Sequence, residues 1–231
     1  MADQALLLAG LGNPGAQYAL NRHNAGFLLV DAIHLEHGFG PWRAKFQGLL
    51  SEGTLAGRKT FLLKPQTYMN VSGDSVGPAL RFFKLPLEAL VVAHDEIDLG
   101  AGKLKVKTGG GDAGQNGLRS ITATLGPDYR RVRIGIGHPG EKHKVSGHVL
   151  QNFSKDDIVW LKPLLDAMVE AAPLLAQDDD AGFMSKVALL TQPPLPKKQN
   201  EPKKTKETEY WALNAASSVC PMSASRPSSM R

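Results

Sequence analysis

Residues 5–15 of the chain read ALLLAGLGNPG. The apolar run over residues 5–11 predicts a buried strand, because it offers no polar side chain to solvent on either face. Residues 12–15, Gly-Asn-Pro-Gly, predict a tight turn that carries the chain out of the sheet. We therefore expect a sheet with this strand in its interior and with Asn13 at its edge.

The rest of the chain alternates between helical and strand patterns. Apolar residues recur at helical spacing over residues 24–37, and Ser72 and Ser154 are typical N-cap residues. We predict helices over residues 24–37, 72–84, 116–125, 154–177 and 181–190, and strands over residues 5–11, 46–55, 59–64, 90–93, 103–107 and 132–136. This alternation predicts a single α/β domain with a mixed, twisted sheet flanked by helices.

The composition is that of a globular protein, with 42% of the 231 residues hydrophobic and 21% charged. Beyond residue 190 it changes to Pro, Lys, Glu and Ser with few aliphatic residues. This change predicts a folded domain over residues 1–190 and a disordered tail over residues 191–231. The tail carries +4 of the net charge of +5, so the overall charge says little about the partner of the domain.

The cysteine content and the lack of long apolar segments indicate the cellular compartment in which the protein is expected. Cys220 is the one cysteine, so no disulfide framework is expected. The N-terminus lacks the features of a secretory signal, and no apolar run approaches the roughly 18 residues of a membrane span. We therefore expect a cytoplasmic protein with no membrane association.

Residues 10–15 also match the pattern G-x-G-x-x-G of dinucleotide-binding proteins. Three features argue against that interpretation: Pro14 has no N–H to donate, the helix is predicted to begin well after the motif, and no acidic residue ends the next strand. Asp31 has a suitable spacing but falls within the predicted helix. We favour a strand-exit turn and keep a nucleotide-dependent oxidoreductase as a third hypothesis.

Polar residues cluster where strands are predicted to end, which is where open α/β sheets bind ligands. Singly, such residues are usually caps or solvated groups, so their combination carries the argument. The imidazole of His23 is the type of side chain that can take a proton from water, while an ionised Asp95 can orient the imidazole. The amides of Asn13, Asn70 and Asn116 can bind peptide groups or an oxyanion. No G-x-S-x-G motif is present, so water is the expected nucleophile.

A metal site is an alternative for the segment that follows the strand over residues 90–93. His94, Glu96 and Asp98 alternate and could share one face of an extended segment. No H-E-x-x-H or similar pair accompanies them. We therefore expect neither a metal nor another cofactor.

Five motifs, in order and over residues 5–190, resemble those of bacterial-type peptidyl-tRNA hydrolases. They are GNPG at 12–15 with Tyr18 and RHNAG at 22–26, KPQTYMN at 64–70 with Ser72 and Gly73, HDEIDL at 94–99, GGG at 109–111 with NGL at 116–118, and RIGIGHPG at 133–140. The resemblance implies a monomeric, metal-independent esterase. Its partner would be peptidyl-tRNA, from which it releases the peptide and so recycles the tRNA.

The resemblance also implies a role for each matching residue. His23 is the expected catalytic base and Asp95 its partner. Lys107 and Arg133 are the expected clamp on the 5′-phosphate of the tRNA, although Lys103, Lys105 and Lys107 also fit the solvated face of a strand. The residues expected to bind the substrate along the cleft are Asn13, Tyr18, Tyr68, Met69, Asn70 and Asn116.

Two residues depart from the family pattern. The glycine-rich segment usually carries histidines where this chain has Asp112 and Gln115. Asp112 adds negative charge near the expected path of the RNA, and Gln115 removes a titratable group but keeps hydrogen-bonding capacity. Because His23 and Asp95 are present, we expect activity. The departures leave a second hypothesis, an RNA-binding protein that has lost catalysis.

Overall fold

A computed structural model describes residues 4–192 of the chain. The strands are β1 (Leu6–Gly10), β2 (Arg43–Lys45), β3 (Gly48–Leu55), β4 (Arg58–Pro65), β5 (Leu90–Glu96), β6 (Leu104–Thr108) and β7 (Arg130–Gly135). The α-helices are α1 (Ala25–Glu36), α2 (Gly73–Phe82), α3 (Asn116–Leu125), α4 (Val145–Leu150), α5 (Lys155–Ala176) and α6 (Asp180–Leu190). Short 3-10 turns are formed by Ala16–Tyr18, Arg22–Asn24, Met69–Val71, Leu87–Ala89 and Lys142–Lys144. The predicted tail lies outside the described residues apart from Thr191 and Gln192.

The strands form one mixed sheet in the order β2-β3-β4-β1-β5-β7-β6. The central strands β4, β1, β5 and β7 are parallel, whereas β2, β3 and β6 are antiparallel to their neighbours. Strand β1 lies between β4 and β5, so the strand order reverses on its two sides. In open α/β sheets, ligands bind at the carboxyl ends of the strands at such a reversal.

Two hydrophobic cores cover the two faces of the sheet, which explains why β1 is apolar at every position. Leu6 and Leu8 belong to the core formed with α1, α5 and α6. Leu7 and Ala9 belong to the core formed with α2 and α3. Successive side chains of a strand point to opposite faces, so a strand covered on both sides has no position for a polar residue.

The glycines of the first motif allow α1 to pack closely against β1. A Cβ at Gly10 would lie 2.3 Å from the carbonyl oxygen of Gly26, and a Cβ at Gly12 would lie 2.7 Å from the Phe27 ring. Helix α1 begins at Ala25, well after the motif. The geometry favours the strand-exit turn over a phosphate-binding loop.

The prediction of a single α/β domain with a mixed sheet flanked by helices is confirmed for the described residues. Helix α3 has the predicted bounds. Ser154 caps α5 as predicted, in a capping box with Asp157. None of the described helices is long and apolar enough to cross a membrane.

Two local predictions were wrong or incomplete, and two elements were not predicted. Ser72 does not cap α2 with its side chain, because its Oγ donates to the carbonyl oxygen of Met69 and the backbone is already helical at Ser72. Strand β5 continues to Glu96, so residues 94–96 lie within the strand and pair with β7 instead of following it. Strand β2 and helix α4 were not predicted.

Candidate active site

A cleft of about 870 Å³ opens at the carboxyl ends of the central parallel strands. Its polar wall is formed by the segments that follow β1 and β4, by the end of β5 and by the N-terminus of α3. An apolar wall includes Ile97 and side chains of α4. The lining residues include Asn13, His23, Tyr68, Met69, Asn70, Asp95, Ile97, Gln115, Asn116, His138, Lys142, Val145, Val149 and Leu150.

His23 and Asp95 meet inside this cleft although 72 residues separate them in the sequence. The Nδ1 atom of His23 lies 2.9 Å from both carboxylate oxygens of Asp95. His23 is 9% exposed and Asp95 3%. When Nδ1–H donates to the carboxylate, Nε2 is the ring nitrogen left to accept a proton. This geometry is that of a general base oriented by an acid.

The backbone explains how these two side chains come together. Val91 and Ala93 of β5 belong to the core beneath α1. Because side chains alternate along a strand, Asp95 points to the same face at the end of that strand. His23 lies in the turn Arg22–Asn24 that leads directly into α1. The approach of α1 to β5 therefore brings the imidazole to the carboxylate.

The pKa of Asp95 is lowered despite its burial. Burial alone would raise the pKa, because it disfavours the charged carboxylate. The charge and hydrogen bond of His23 oppose this effect, followed by the charge of His94 and a hydrogen bond from Gln115. The carboxylate is thus stabilised in the ionised form that an orienting partner of a general base requires.

The turn that carries His23 is attached to the end of α4, to the link that follows it and to the first turn of α5. Arg22 Nη2 lies 2.6 Å from Asp157 Oδ2, and both side chains are largely buried. The backbone N–H of Arg22 donates to the carbonyl oxygen of Gln151 at 2.9 Å, and the Asn21 side chain donates to the carbonyl oxygen of Leu150. These bonds hold His23 at a fixed position beside the α4 wall of the cleft.

Asn13 and Asn24 join the loops around His23. Asn13 donates from its backbone to Asn24 Oδ1 at 2.9 Å, and Asn24 Nδ2 donates back to the carbonyl oxygen of Asn13 at 3.0 Å. The side-chain oxygen of Asn13 accepts from the backbone N–H of Met69 at 2.9 Å. With that oxygen engaged, the amide nitrogen of Asn13, which forms no hydrogen bond within residues 4–192, can act as a donor in the cleft.

Comparison with known proteins shows the family to which the chain belongs. Residues 7–198 match the family model described as peptidyl-tRNA hydrolase. The chain belongs to the peptidyl-tRNA hydrolase family. The family assignment made from the five sequence motifs is therefore confirmed.

Individual members of the peptidyl-tRNA hydrolase family are similar to this chain over most of their length. The chain is 62% identical to the peptidyl-tRNA hydrolase of Granulibacter bethesdensis over 187 residues, which cover 80% of this chain and 96% of that protein. It is 60% identical to that of Mesorhizobium japonicum over 81% of this chain and 78% of the relative. The crystal structure of peptidyl-tRNA hydrolase from Acinetobacter baumannii superposes with a TM-score of 0.76 at 41% identity and covers 81% and 95% of the two chains.

The cleft of this peptidyl-tRNA hydrolase family member brings together most of the residues predicted from the sequence. Met69 is buried, whereas Tyr68 is 63% exposed at the rim. Asn70 and Asn116 are also exposed, and Asn116 Oδ1 accepts from Arg119 Nη1 at 3.2 Å. The predicted residues that line the cleft are Asn13, His23, Tyr68, Met69, Asn70, Asp95 and Asn116.

Three predicted binding residues lie outside the lining of the cleft. Tyr18 is in the turn Ala16–Tyr18, and Lys107 is exposed on β6. Arg133 is on β7, where it pairs with Lys105 in the β6–β7 register and its Nε lies 2.8 Å from Glu96 Oε2. Lys105, Lys107 and Arg133 point to one face of the sheet. Their roles stay predictions.

Two site residues were missed by the sequence analysis. Asn24 is buried and joins the loops beside His23, and its position directly after His23 was the available signal. Gln115 contacts Asp95. Its position before Asn116 was a signal, but the sequence analysis treated it only as a departure from the family pattern.

The alternatives raised by the sequence receive no support from the geometry. Within residues 4–192, no group of three or more His, Cys, Asp or Glu side chains is placed to hold a metal ion. Glu96 is paired with Arg133, and His94 is completely buried. Asp31, the candidate ribose ligand of a dinucleotide site, lies 2.5 Å from Lys64 Nζ instead.

Proposed function

We propose that this chain hydrolyses the ester bond between the peptide and the tRNA of peptidyl-tRNA and so releases the tRNA for reuse. Its membership of the peptidyl-tRNA hydrolase family supports the reaction. The contact between His23 Nδ1 and the carboxylate of Asp95 inside an open cleft is the observation that supports the mechanism.

In this mechanism His23 acts on a water molecule. Its Nε2 takes a proton from the water as the water oxygen attacks the ester carbonyl carbon, which gives a tetrahedral oxyanion. The intermediate collapses by breaking the bond between that carbon and the ribose oxygen. The imidazolium returns the proton to the leaving oxygen, and Asp95 stabilises the imidazolium in between. The products are a peptide with a free carboxylate and a tRNA with a free 3′-terminal ribose.

The amide side chains around the cleft fit the recognition of a peptide. Asn13, Asn70 and Asn116 offer donors and acceptors to peptide groups or to the oxyanion without adding charge. The apolar wall formed by Ile97, Val145 and Val149 can pack against the side chains of the peptide. Tyr68 and Met69 complete the cleft, and we propose that Tyr18 contributes from the loop after β1.

The basic residues on β6 and β7 fit the recognition of a phosphate. We propose that Lys107 and Arg133 hold the 5′-phosphate of the tRNA, since ammonium and guanidinium groups both pair well with phosphate. Arg133 contacts Glu96 through its Nε atom, and its two terminal nitrogens form no hydrogen bond with any residue of the range 4–192, so they are available to an anion. Lys105 is the direct cross-strand neighbour of Arg133 and adds positive charge beside them.

We propose that the active form is a cytoplasmic monomer in which residues 1–190 carry the activity. The contact between His23 and Asp95, on which the mechanism depends, forms within a single chain, which supports a monomer. Helix α6 ends at Leu190, which supports the proposed domain boundary.

Incubation with an N-acetyl-aminoacyl-tRNA tests the proposed function. The purified chain should release the N-acetyl amino acid, measured by the loss of acid-precipitable label from the tRNA. His23→Ala should lower turnover by a factor on the order of 10²–10⁴ with a smaller effect on tRNA affinity. An ester that the unmodified chain binds and protects would instead support an RNA-binding protein without catalysis. Unchanged turnover in the His23 variant would refute the role of this residue.

A further inference from the structure

The side chain of Gln115 connects the N-terminus of α3 to the Asp95 carboxylate. Its Oε1 accepts from the backbone N–H groups of Gly117 at 2.5 Å and Leu118 at 3.0 Å, so Gln115 is the N-cap of α3. Its Nε2 lies 3.1 Å from Asp95 Oδ1. One amide therefore serves a helix terminus with its oxygen and the proposed active site with its nitrogen.

The orientation of this amide follows from its partners. Backbone N–H groups only donate, so the end of Gln115 that faces Gly117 and Leu118 must be the oxygen. The nitrogen then faces Asp95, and the contact is a hydrogen bond from a neutral donor to an ionised carboxylate.

Gln115 is an unusual choice for a helix cap. Short residues such as Ser, Asn and Asp are the preferred N-caps, because their side-chain oxygen reaches the first free N–H groups. A serine here would satisfy the helix but would be too short to reach Asp95. The additional length of Gln115 is needed for the contact with the carboxylate and not for the cap.

With this contact the carboxylate of Asp95 receives donors from two sides. His23 Nδ1 approaches it from the turn before α1, and Gln115 Nε2 approaches it from the start of α3 on the other side of the sheet. Two donors on different elements restrict the rotation of the carboxylate far more than one donor does. The same cap fixes the first turn of α3, which carries Asn116.

We propose that Gln115 is a positioning residue that holds the Asp95 carboxylate in the orientation required by His23, using a donor that does not titrate. This inference rests on the proposed function of the His23–Asp95 pair. Gln115 acts through Asp95 and does not itself touch the reacting atoms. A neutral amide keeps the same donor at every working pH, whereas a titratable residue at this position would change its charge beside the pair.

The groups around Asp95 determine what a change at Gln115 does to the pH dependence. His23 faces Asp95 from the turn before α1, and His94 and Glu96 flank it on β5. Glu96 is paired with Arg133. A carboxylate in place of the Gln115 amide would therefore add unpaired negative charge next to Asp95 and would favour the imidazolium form of His23.

Two substitutions separate the cap from the contact with Asp95. Gln115→Ser keeps a good N-cap and removes the donor, and we expect kcat to fall about 10-fold or more with little change in KM. Gln115→Glu keeps the length and the cap, and we expect the acid limb of the pH profile of kcat/KM to move to higher pH. Both variants should unfold at a temperature close to that of the unmodified chain.

Asp179→Ala is the matched control, because Asp179 caps α6 through Gly182 outside the cleft. It should lower the unfolding temperature and leave kcat and the pH profile unchanged. A wild-type kcat in Gln115→Ser together with an unshifted acid limb in Gln115→Glu would overturn the proposal. A change confined to KM would also overturn it, since that result would indicate a substrate contact.

A measurement without substrate distinguishes this inference from the proposed function. The Nδ1–H proton of His23 should give a downfield NMR signal that disappears in Asp95→Asn and broadens or shifts in Gln115→Ser. If the unmodified chain does not cleave the ester, the proposed function fails whatever the NMR signal shows. If it cleaves the ester and Gln115→Ser leaves both the signal and kcat unchanged, only the positioning role fails.

Discussion

The carboxyl end of β5 and the face of β6 and β7 that carries Lys105 and Lys107 are both charged, but they differ in burial and in pairing. At the end of β5, Asp95 is almost completely buried and receives hydrogen bonds from His23 and Gln115. On β6, Lys105 and Lys107 are exposed and form no ion pair with another residue in the range 4–192. One region has charges that are matched inside the protein, and the other has charges left for a partner.

The difference predicts different roles for the two regions. Buried charge pairs are little affected by salt, and the loss of one partner leaves the other without compensation. Exposed cations are screened by salt, and their effect on binding an RNA is correspondingly salt-dependent. Substitutions at the end of β5 should therefore change the rate of the chemical step, and substitutions on β6 and β7 should change the affinity for the tRNA.

Among the substitutions that test this difference, Asp95→Asn at the end of β5 should cause the largest loss of activity. The amide keeps the size of the side chain but does not fix the tautomer of His23 or stabilise the imidazolium, so we expect kcat to fall by a factor on the order of 10³–10⁴. Steady-state cleavage of N-acetyl-aminoacyl-tRNA at low and high salt measures it. Asp98→Asn, an exposed position on the same segment, is the control and should retain activity. A loss of less than about 10-fold would contradict the orienting role of Asp95.

Lys107→Ala should have an intermediate effect. We expect KM for a 5′-phosphorylated substrate to rise about 3- to 10-fold at low salt with kcat unchanged, and the salt dependence of binding to decrease by about one phosphate contact. Lys162→Ala on α5, which packs on the other face of the sheet, is the control and should behave like the unmodified chain.

A substrate without the 5′-phosphate sharpens this test. Lys107→Ala should then match the unmodified chain, and an equal loss with both substrates would show that the phosphate is held elsewhere. Arg133→Ala should behave similarly, but it also leaves the buried Glu96 without its partner. Its unfolding temperature must therefore be measured alongside the kinetics.

His94→Asn should have the smallest effect, on the pH dependence of stability. Burial lowers the pKa of His94, and it outweighs the raising effects of Asp95 and Glu96, while Arg131 adds to the lowering. The unfolded chain therefore binds a proton that the folded chain does not. The contribution of neutral His94 to the free energy of unfolding is therefore fully present above its unfolded-state pKa of about 6.5. It is lost as the pH falls towards the lower pKa of His94 in the folded chain.

Thermal unfolding at pH 7.5 and pH 5.5 measures the contribution of His94. The decrease in Tm from pH 7.5 to pH 5.5 should be smaller by a few degrees in His94→Asn than in the unmodified chain. Asparagine is chosen because its amide nitrogen can replace Nδ1 of His94 as the donor to the backbone carbonyl of Asp95. His143→Asn, at an exposed histidine, should keep the decrease of the unmodified chain. An identical decrease in both variants would exclude a role of His94 in acid sensitivity.

The sequence predicted elements whose signals are local. Helix α3 was predicted with its observed bounds, and the local signal was the glycine run at residues 109–111, which breaks the chain before it. Helix α5 was predicted from its capping residue Ser154. Strand β2 was missed because its three residues are all exposed, and only pairing with β3 makes them a strand. Helix α4 was missed because its six residues include a glycine and bury no side chain completely.

The sequence predicted which residues form the site, but it did not predict how they contact one another. The motifs that resemble the family indicated His23 and Asp95, yet residues 94–96 were expected to follow β5. They are strand residues because β7 provides hydrogen-bonding partners up to Glu96, a contact that no local signal reports. The departure at Gln115 was visible in the sequence, but its reach to Asp95 was not.

The sequence by itself determined the apolar centre of the sheet, the alternation of strands and helices, and the family to which the chain belongs. The tertiary structure decided which face of β5 carries Asp95, that α1 brings His23 to that face, and that Gln115 meets them from α3. It also paired Arg133 with Glu96 and placed Lys105 opposite Arg133. The reason is that propensity and patterning act over a few neighbouring residues, whereas these contacts depend on strand register and on helices that pack from opposite sides of the sheet.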